Sequence, residues 1–146
     1  MVQQLITQKV RDVMTGIAVM LRPDQTLTDA ACAMRDHAVG CVLVAVGDEL
    51  RGLITDRDIV VRAVAESRDP AEVQLSEVSS LDIAVVGQDD DVADAFRIMR
   101  QRAVRRLPVV EGSRAVGMVS LGDLALEYAH DGASALMDIS AAPPNA

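Results

Sequence analysis

The chain has 146 residues, and its 14 lysines and arginines against 22 aspartates and glutamates give it a formal charge of −8. This acidic balance argues against nucleic acid as a partner, and with one Phe, one Tyr and no Trp the chain lacks stacking platforms for single strands. No secretory signal, membrane-length apolar run or disulfide framework is visible, so we expect a reduced, cytoplasmic protein with an aliphatic core and no membrane partner.

The first predicted helix and strands follow one another closely. Apolar residues between positions 27 and 38 recur at helical spacing, and Thr26 with Asp29 has the form of a capping box at the start of this helix. The apolar run 41–46 predicts a strand, and a turn at 47–49 returns the chain into a second short strand. A further helix follows that strand, so the region reads as strand, helix, strand, strand, helix.

The same order returns 65 residues later, because residues 24–59 align with residues 89–124 without a gap. We therefore expect an α/β (α+β) chain of two βαββα units, packed through their sheets around one aliphatic core with pseudo-twofold symmetry. The predicted domains span residues 8–67 and 73–129. The remaining residues, 130–146, form a tail that has room for a short helix.

One pattern recurs in phase with this repeat, Gly-apolar-apolar-Thr/Ser-x-x-Asp, at residues 52–58 and 117–123. It falls where a strand leads into a helix. Glycine lets another group approach the backbone, and the hydroxyl and first helical amides are donors suited to phosphate. A carboxylate one turn further on suits the two hydroxyls of a ribose, so the pattern is typical of a nucleotide site. The same Thr/Ser and Asp pairs also have the form of capping boxes, which need no ligand.

The sequence resembles a tandem pair of cystathionine β-synthase (CBS) domains, a Bateman module, over residues 8–128. The resemblance rests on VRDVMT at 10–15, PDQTLTDAACAM at 23–34, VRRLPVV at 104–110 and GLITDRDIV at 52–60. It implies a stand-alone, non-catalytic sensor that binds AMP, ADP or ATP in clefts between the two units and needs no cofactor. It further implies a homodimer, assembled as a flat disc, and a separate effector protein that receives the signal.

The resemblance also assigns ligand-binding roles residue by residue. Asp58 and Asp123 are the expected ribose-binding carboxylates, with Thr55 and Ser120 beside ribose and phosphate. The other expected ligand-binding residues are Thr15 and Ser80 beside the adenine, and Val39, Gly40, Cys41, Arg105, Arg106 and Leu107 along the central strands.

The two repeats differ in charge before the central strand. The second repeat has Arg105 and Arg106 where the first has Gly40 and Cys41, and guanidinium groups hold phosphates bidentately. We therefore expect the Asp123 cleft to bind a phosphorylated ligand more tightly. The alternative is that these arginines only continue a solvated basic face.

Other functions remain open at this point. The chain is also compatible with a dimeric scaffold that has no regulatory ligand, or with a sensor of S-adenosylmethionine or another adenosyl compound. No metal site is predicted, because Cys32 and His37 lie five residues apart on one helix, their side chains diverge, and no fourth ligand is evident. No nucleophile with a base and an orienting group can be identified, so we expect no catalytic residues.

Overall fold

A computed structural model describes residues 8–80 and 82–127 of the chain. Within them the chain divides into two compact units. We call residues 17–83 the first-repeat unit, and residues 8–16 together with 84–127 the second-repeat unit. The predicted tail at 130–146 lies outside the described residues.

Each repeat shows the predicted order of strand, helix, strand, strand and helix, and a short helix that was not predicted comes before each series. In chain order the helices and strands are α1 (Val10–Val13), β1 (Met20–Leu21), α2 (Leu27–His37), β2 (Cys41–Val46), β3 (Glu49–Thr55), α3 (Asp56–Ile59), α4 (Leu75–Val78), β4 (Val86–Gly87), α5 (Val92–Arg102), β5 (Arg106–Glu111), β6 (Arg114–Ser120) and α6 (Leu121–Glu127). A π-helical segment, Val60–Val64, continues α3, and a 3₁₀ turn, Pro70–Glu72, precedes α4. Within 8–80 and 82–127, no helix combines the length and hydropathy needed to cross a bilayer.

Each unit contains a three-stranded sheet of the same topology. Strand β1 runs parallel to β2, and β2 runs antiparallel to β3, while β4, β5 and β6 repeat this arrangement. The mixed α+β class is thereby confirmed. Strand β3 is longer than predicted and begins at Glu49, which the sequence places in the turn. A two-residue turn closes this hairpin, with Gly47 at a φ of 62°, so Glu49 is free to pair with Val46.

Side-chain caps define where the two longest described helices begin. At α2, Thr26 Oγ1 accepts a hydrogen bond from the N–H of Asp29 (3.2 Å), and Asp29 Oδ2 accepts one from the N–H of Thr26 (3.0 Å). This confirms the predicted capping box. At α5, Asp94 accepts the N–H of Asp91 (3.3 Å), and the carboxylate of Asp91 also holds Lys9 Nζ at 2.7 Å.

The buried apolar side chains form a separate cluster in each unit. In the first-repeat unit they are Leu27, Ala30, Met34, Val42, Val44, Ile54, Ala63, Val73, Leu75 and Val78. In the second-repeat unit they are Val10, Val86, Val92, Ala95, Phe96, Met99, Leu107, Val109, Val119, Leu121 and Leu124. Each sheet and its helices therefore bury an aliphatic cluster within their own unit.

Helix α1 opens the first predicted domain (8–67) in sequence but belongs to the second-repeat unit. Val10 is fully buried there, and its N–H donates to the carbonyl of Asp90 at 2.9 Å. The ion pair between Lys9 and Asp91 holds the same segment, and the hydrogen bond that Lys9 donates to Asp91 raises the pKa of Lys9 above its ordinary value. We call residues 8–16 the first leading segment.

Helix α4 opens the second predicted domain (73–129) in sequence but belongs to the first-repeat unit. Leu75 is fully buried in that core, and its N–H donates to the carbonyl of Gln25 at 2.8 Å. The pKa of Glu77 is lowered, first by the hydrogen bond from the N–H of Gln74 and then by Arg68. We call residues 73–80 the second leading segment. The compact units and the sequence repeats therefore divide the chain at different places.

Candidate ligand-binding site

The first junction, where β3 passes into α3, is built on a reciprocal capping box. The N–H of Thr55 donates to Asp58 Oδ2 at 2.9 Å, and the N–H of Asp58 donates to Thr55 Oγ1 at 3.1 Å. The second carboxylate oxygen of Asp58, Oδ1, lies 4.0 Å from Nε of Arg62, and the Asp58 side chain is 29% exposed. One oxygen of Asp58 thus holds the helix start, and the other lies toward Arg62.

The second junction, where β6 passes into α6, repeats part of this geometry. The N–H of Asp123 donates to Ser120 Oγ at 3.1 Å. Asp123 is exposed to solvent. Capping hydrogen bonds are therefore present at both junctions, as the structural alternative from the sequence requires. An exposed carboxylate at this place still has capacity to accept further hydrogen bonds.

The sequence suggests that the first amides of α3 are free to bind a ligand. In the structure each of them already has an acceptor within the protein. The N–H of Asp56 donates to the carbonyl of Gly40 (3.0 Å), that of Arg57 to Asp56 Oδ1 (2.9 Å), and that of Asp58 to Thr55. The expectation of free amide donors is therefore wrong at the first junction, because Asp56 takes up the middle amide.

The second junction lacks that carboxylate. Leu121 stands in place of Asp56, and Gly122 in place of Arg57, while the N–H of Leu121 donates to the carbonyl of Arg105 at 2.7 Å. Sequence analysis did not single out Asp56, although the difference from Leu121 is visible once the repeats are aligned.

The starts of the central strands lie beside the junctions within each unit. Cys41 pairs with Thr55 in the β2–β3 ladder, and Arg106 pairs with Ser120 in the β5–β6 ladder. Arg105 and Arg106 are exposed, and neither has an ion-pair partner among the described residues.

The glycine of the recurring pattern makes room for a leading segment. A Cβ on Gly52 would lie 2.9 Å from Cβ of Ser79 and 3.0 Å from the carbonyl oxygen of Ser80. A Cβ on Gly117 would lie 2.8 Å from the carbonyl oxygen of Thr15. The close approach expected at these glycines is therefore made by the chain itself.

The paths of the leading segments determine which predicted site residues lie close together. Thr15 exchanges two backbone hydrogen bonds with Met118 (2.8 and 2.9 Å), and its hydroxyl donates to the same residue's carbonyl at 3.3 Å. The N–H of Ser80 donates to the carbonyl of Leu53 at 3.4 Å. Thr15 thus lies on the strand of the second junction, and Ser80 on that of the first. The repeat alone gives no sign of this exchange, since it follows from the path of the chain.

The twelve predicted site residues accordingly fall into two groups of six. The first-repeat unit holds Val39, Gly40, Cys41, Thr55, Asp58 and Ser80, and the second-repeat unit holds Thr15, Arg105, Arg106, Leu107, Ser120 and Asp123. Leu107 differs from the others, because its side chain is fully buried in the second-repeat core.

The described residues offer no metal centre. Across 8–80 and 82–127, no three His, Cys, Asp or Glu side chains form a group that could hold a metal ion. Cys32 is half-buried and His37 is exposed.

Comparison with known proteins shows the family to which this chain belongs. Residues 10–64 and 75–130 each match the CBS domain, so the chain belongs to the CBS-domain family and carries two such domains in tandem. The resemblance seen in the sequence is thereby confirmed. The chain is 39% identical over 133 residues to the CBS domain-containing protein YhcV of Bacillus subtilis (strain 168), which covers 90% of this chain and 94% of that protein.

Solved structures show the same fold. The crystal structure of Hypoxic Response Protein I with two coordinated zinc ions is 32% identical, covers 83% of this chain and 99% of that chain, and superposes with a TM-score of 0.75. The CBS domain pair of protein MJ0100 in complex with 5′-methylthioadenosine and S-adenosylmethionine is 20% identical, covers 85% of this chain and 98% of that chain, and has a TM-score of 0.74. At that identity the second likeness concerns the fold alone.

Proposed function

We propose that this CBS-domain pair is a non-catalytic regulatory module that binds an adenine nucleotide, AMP, ADP or ATP, at its strand-to-helix junctions. The observation that carries the proposal is a carboxylate with accepting capacity one helical turn after a hydroxyl, Asp58 after Thr55 and Asp123 after Ser120. A carboxylate is an acceptor for the two hydroxyls of a ribose, and its charge strengthens those hydrogen bonds.

The signal would pass through conformation or assembly. A ligand shifts such an equilibrium only by its different affinity for the states involved, so binding has to favour one arrangement of the chain. The proposal includes a homodimer and a separate effector protein that distinguishes the liganded from the free form.

The first test of this function is a thermal shift screen with AMP, ADP, ATP, S-adenosylmethionine, 5′-methylthioadenosine and NAD. A bound ligand at 100 times its Kd adds about 2.7 kcal/mol to the free energy of unfolding, which raises Tm by roughly 5–10 °C. The control is 2′-deoxy-AMP, which lacks one of the two hydroxyls and should give a smaller shift than AMP. A response to the adenosyl thioether or sulfonium alone would favour the adenosyl sensor, and no response to any compound would favour the dimeric scaffold.

The second test ranks the two carboxylates. Losing charge-assisted hydrogen bonds costs about 1.5–3 kcal/mol, so Asp123→Ala should weaken AMP binding by roughly 10- to 150-fold in a calorimetric titration. Asp58→Ala should have the smaller effect, because Arg105 and Arg106 favour phosphate at the second junction. Asp24→Ala, an exposed carboxylate elsewhere, is the control. A larger loss from Asp58→Ala would reverse the ranking, and no loss from either variant would remove both residues from the site.

A further inference from the structure

Lys9 is the only lysine of the chain, since all the other positively charged side chains are arginines. Its ammonium group donates to Asp91 Oδ1 at 2.7 Å, and its side chain is 49% exposed. This contact joins the first leading segment to the residue that precedes α5. A reaction specific for side-chain amines therefore has one target in the chain, and that target holds the leading segment in its unit.

A second ion pair lies beside the first, between Arg11 and Asp89. We call these two ion pairs the clamp. Asp91 raises the pKa of Lys9, first by its hydrogen bond and then by its charge, and the charges of Asp94 and Asp90 raise it further. Lys9 thus offsets the negative charge of residues 89–94. An uncharged side chain at position 9 would leave Asp91 without its ammonium partner.

The first-repeat unit holds its own leading segment without such a clamp. The N–H of Val10 and that of its repeat equivalent Leu75 each donate to a backbone carbonyl of their unit, at 2.9 and 2.8 Å. At the position equivalent to Lys9, however, Gln74 pairs with Thr26, and neither side chain is charged. Backbone docking is therefore compatible with a neutral amide side chain at this position, and the charges are an addition in the second-repeat unit.

The clamped segment reaches the strand of the second junction a few residues after Lys9. Thr15 exchanges two backbone hydrogen bonds with Met118 on β6, at 2.8 and 2.9 Å. Only helix α1, four residues long, lies between these bonds and the clamp. A helix of that length is not stable by itself, so the segment stays folded only through its contacts with the unit. A change at the clamp is therefore expected to reach the bonds of Thr15.

We propose that Lys9 is an acyl-acceptor site, and that its acylation loosens the first leading segment from β6. The donor class is an acyl thioester. The ammonium group first gives one proton to a base, and the neutral amine attacks the thioester carbonyl carbon. The C–N bond forms, the C–S bond breaks, and the thiol leaves with a second proton from the nitrogen. The resulting amide is uncharged and makes no ion pair with Asp91.

The position of the amine also indicates the kind of catalyst. Asp91 favours the protonated form of Lys9, and the protonated form is not a nucleophile. Acyl transfer at neutral pH therefore needs a base close to Nζ, which an acyltransferase supplies. With its side chain half-exposed, Lys9 is accessible to such an enzyme.

The test compares the unmodified full chain with the same chain carrying Nε-acetyllysine at position 9, by amide hydrogen exchange. The amides of Val10 and Thr15 should exchange roughly 1.5- to 5-fold faster in the acetylated chain, the factor expected when an exposed ion pair is lost. The amide of Leu75, equivalent to Val10 in the other unit, should exchange at an unchanged rate. Lys9→Gln should behave as the acetylated chain, and Lys9→Arg, which keeps the charge, as the unmodified one.

Two further measurements complete the test. In the Asp91→Asn variant, acetylation should give no additional acceleration, because the ion pair is already absent. Peptide mass spectrometry of the chain isolated from its native cells should find an acyl group on Lys9. Unchanged exchange at Val10 and Thr15 would overturn the loosening, and a native chain without acylated Lys9 would overturn the modification. Neither experiment contains a nucleotide, so either failure leaves the proposed function standing.

Discussion

Leu75→Ala is expected to lower the free energy of unfolding by about 2–5 kcal/mol. In sequence Leu75 belongs to the second predicted domain, residues 73–129, so the order of the repeats gives it no place in the first-repeat core. In the structure its side chain is 0% exposed and packs in the first-repeat core with Leu27 and Ile54. Truncation therefore removes buried methyl groups and leaves a cavity. Urea denaturation monitored by circular dichroism measures the change.

The control for this experiment is Val64→Ala. Val64 belongs to the same unit but is 65% exposed, so its truncation should change the free energy of unfolding by less than about 0.5 kcal/mol. If Leu75→Ala costs no more than Val64→Ala, helix α4 does not belong to the first-repeat core.

Leu107→Ala should cost about 2–5 kcal/mol of unfolding free energy as well. The family resemblance places Leu107 along a ligand cleft, but its side chain is 0% exposed and packs with Phe96 and Leu124. We therefore expect the variant to unfold at lower urea concentration and, while folded, to bind AMP within about threefold of the wild type. Val46→Ala, at a strand position that is 52% exposed, serves as the control. If Leu107→Ala loses affinity for AMP but keeps its unfolding free energy, Leu107 contributes to the ligand site and the prediction is wrong.

Local features of the fold follow directly from the sequence. The capping box of Thr26 and Asp29 is formed by residues three apart, and strand Cys41–Val46 has the predicted bounds because its apolar run is continuous. Both features depend on neighbours along the chain, and such neighbours are visible in a single sequence.

The ends of the two long helices were harder to predict. Ala38 and Ala103 both adopt left-handed conformations, with φ of 53° and 52°, a position that glycine usually takes at a helix end. The N–H of Val39 and that of Val104 then donate to carbonyls four residues before these alanines, Met34 and Met99, at 3.0 Å. This hydrogen bonding offsets the steric cost of about 1–2 kcal/mol at each alanine.

The candidate site was predictable residue by residue but not as an arrangement. The 65-residue repeat makes Thr55 equivalent to Ser120 and Asp58 equivalent to Asp123, and equivalent positions in a repeat occupy equivalent places in the fold. It does not show that Thr15 joins the strand of the second junction, because that contact spans about a hundred residues of chain. Nor does it show that the carboxylate of Asp56 accepts a hydrogen bond from the N–H of Arg57, since this depends on a side-chain rotamer.

The exchange of leading segments has a consequence for any attempt to isolate half of the molecule. A cut between residues 67 and 73 gives one fragment that keeps Val10 without the core that buries it and lacks Leu75, and a second fragment with the converse defect. Each fragment then exposes an apolar surface that a leading helix from another copy would cover. A single repeat that kept these contacts would therefore complete its core only by trading leading helices with a second copy of itself.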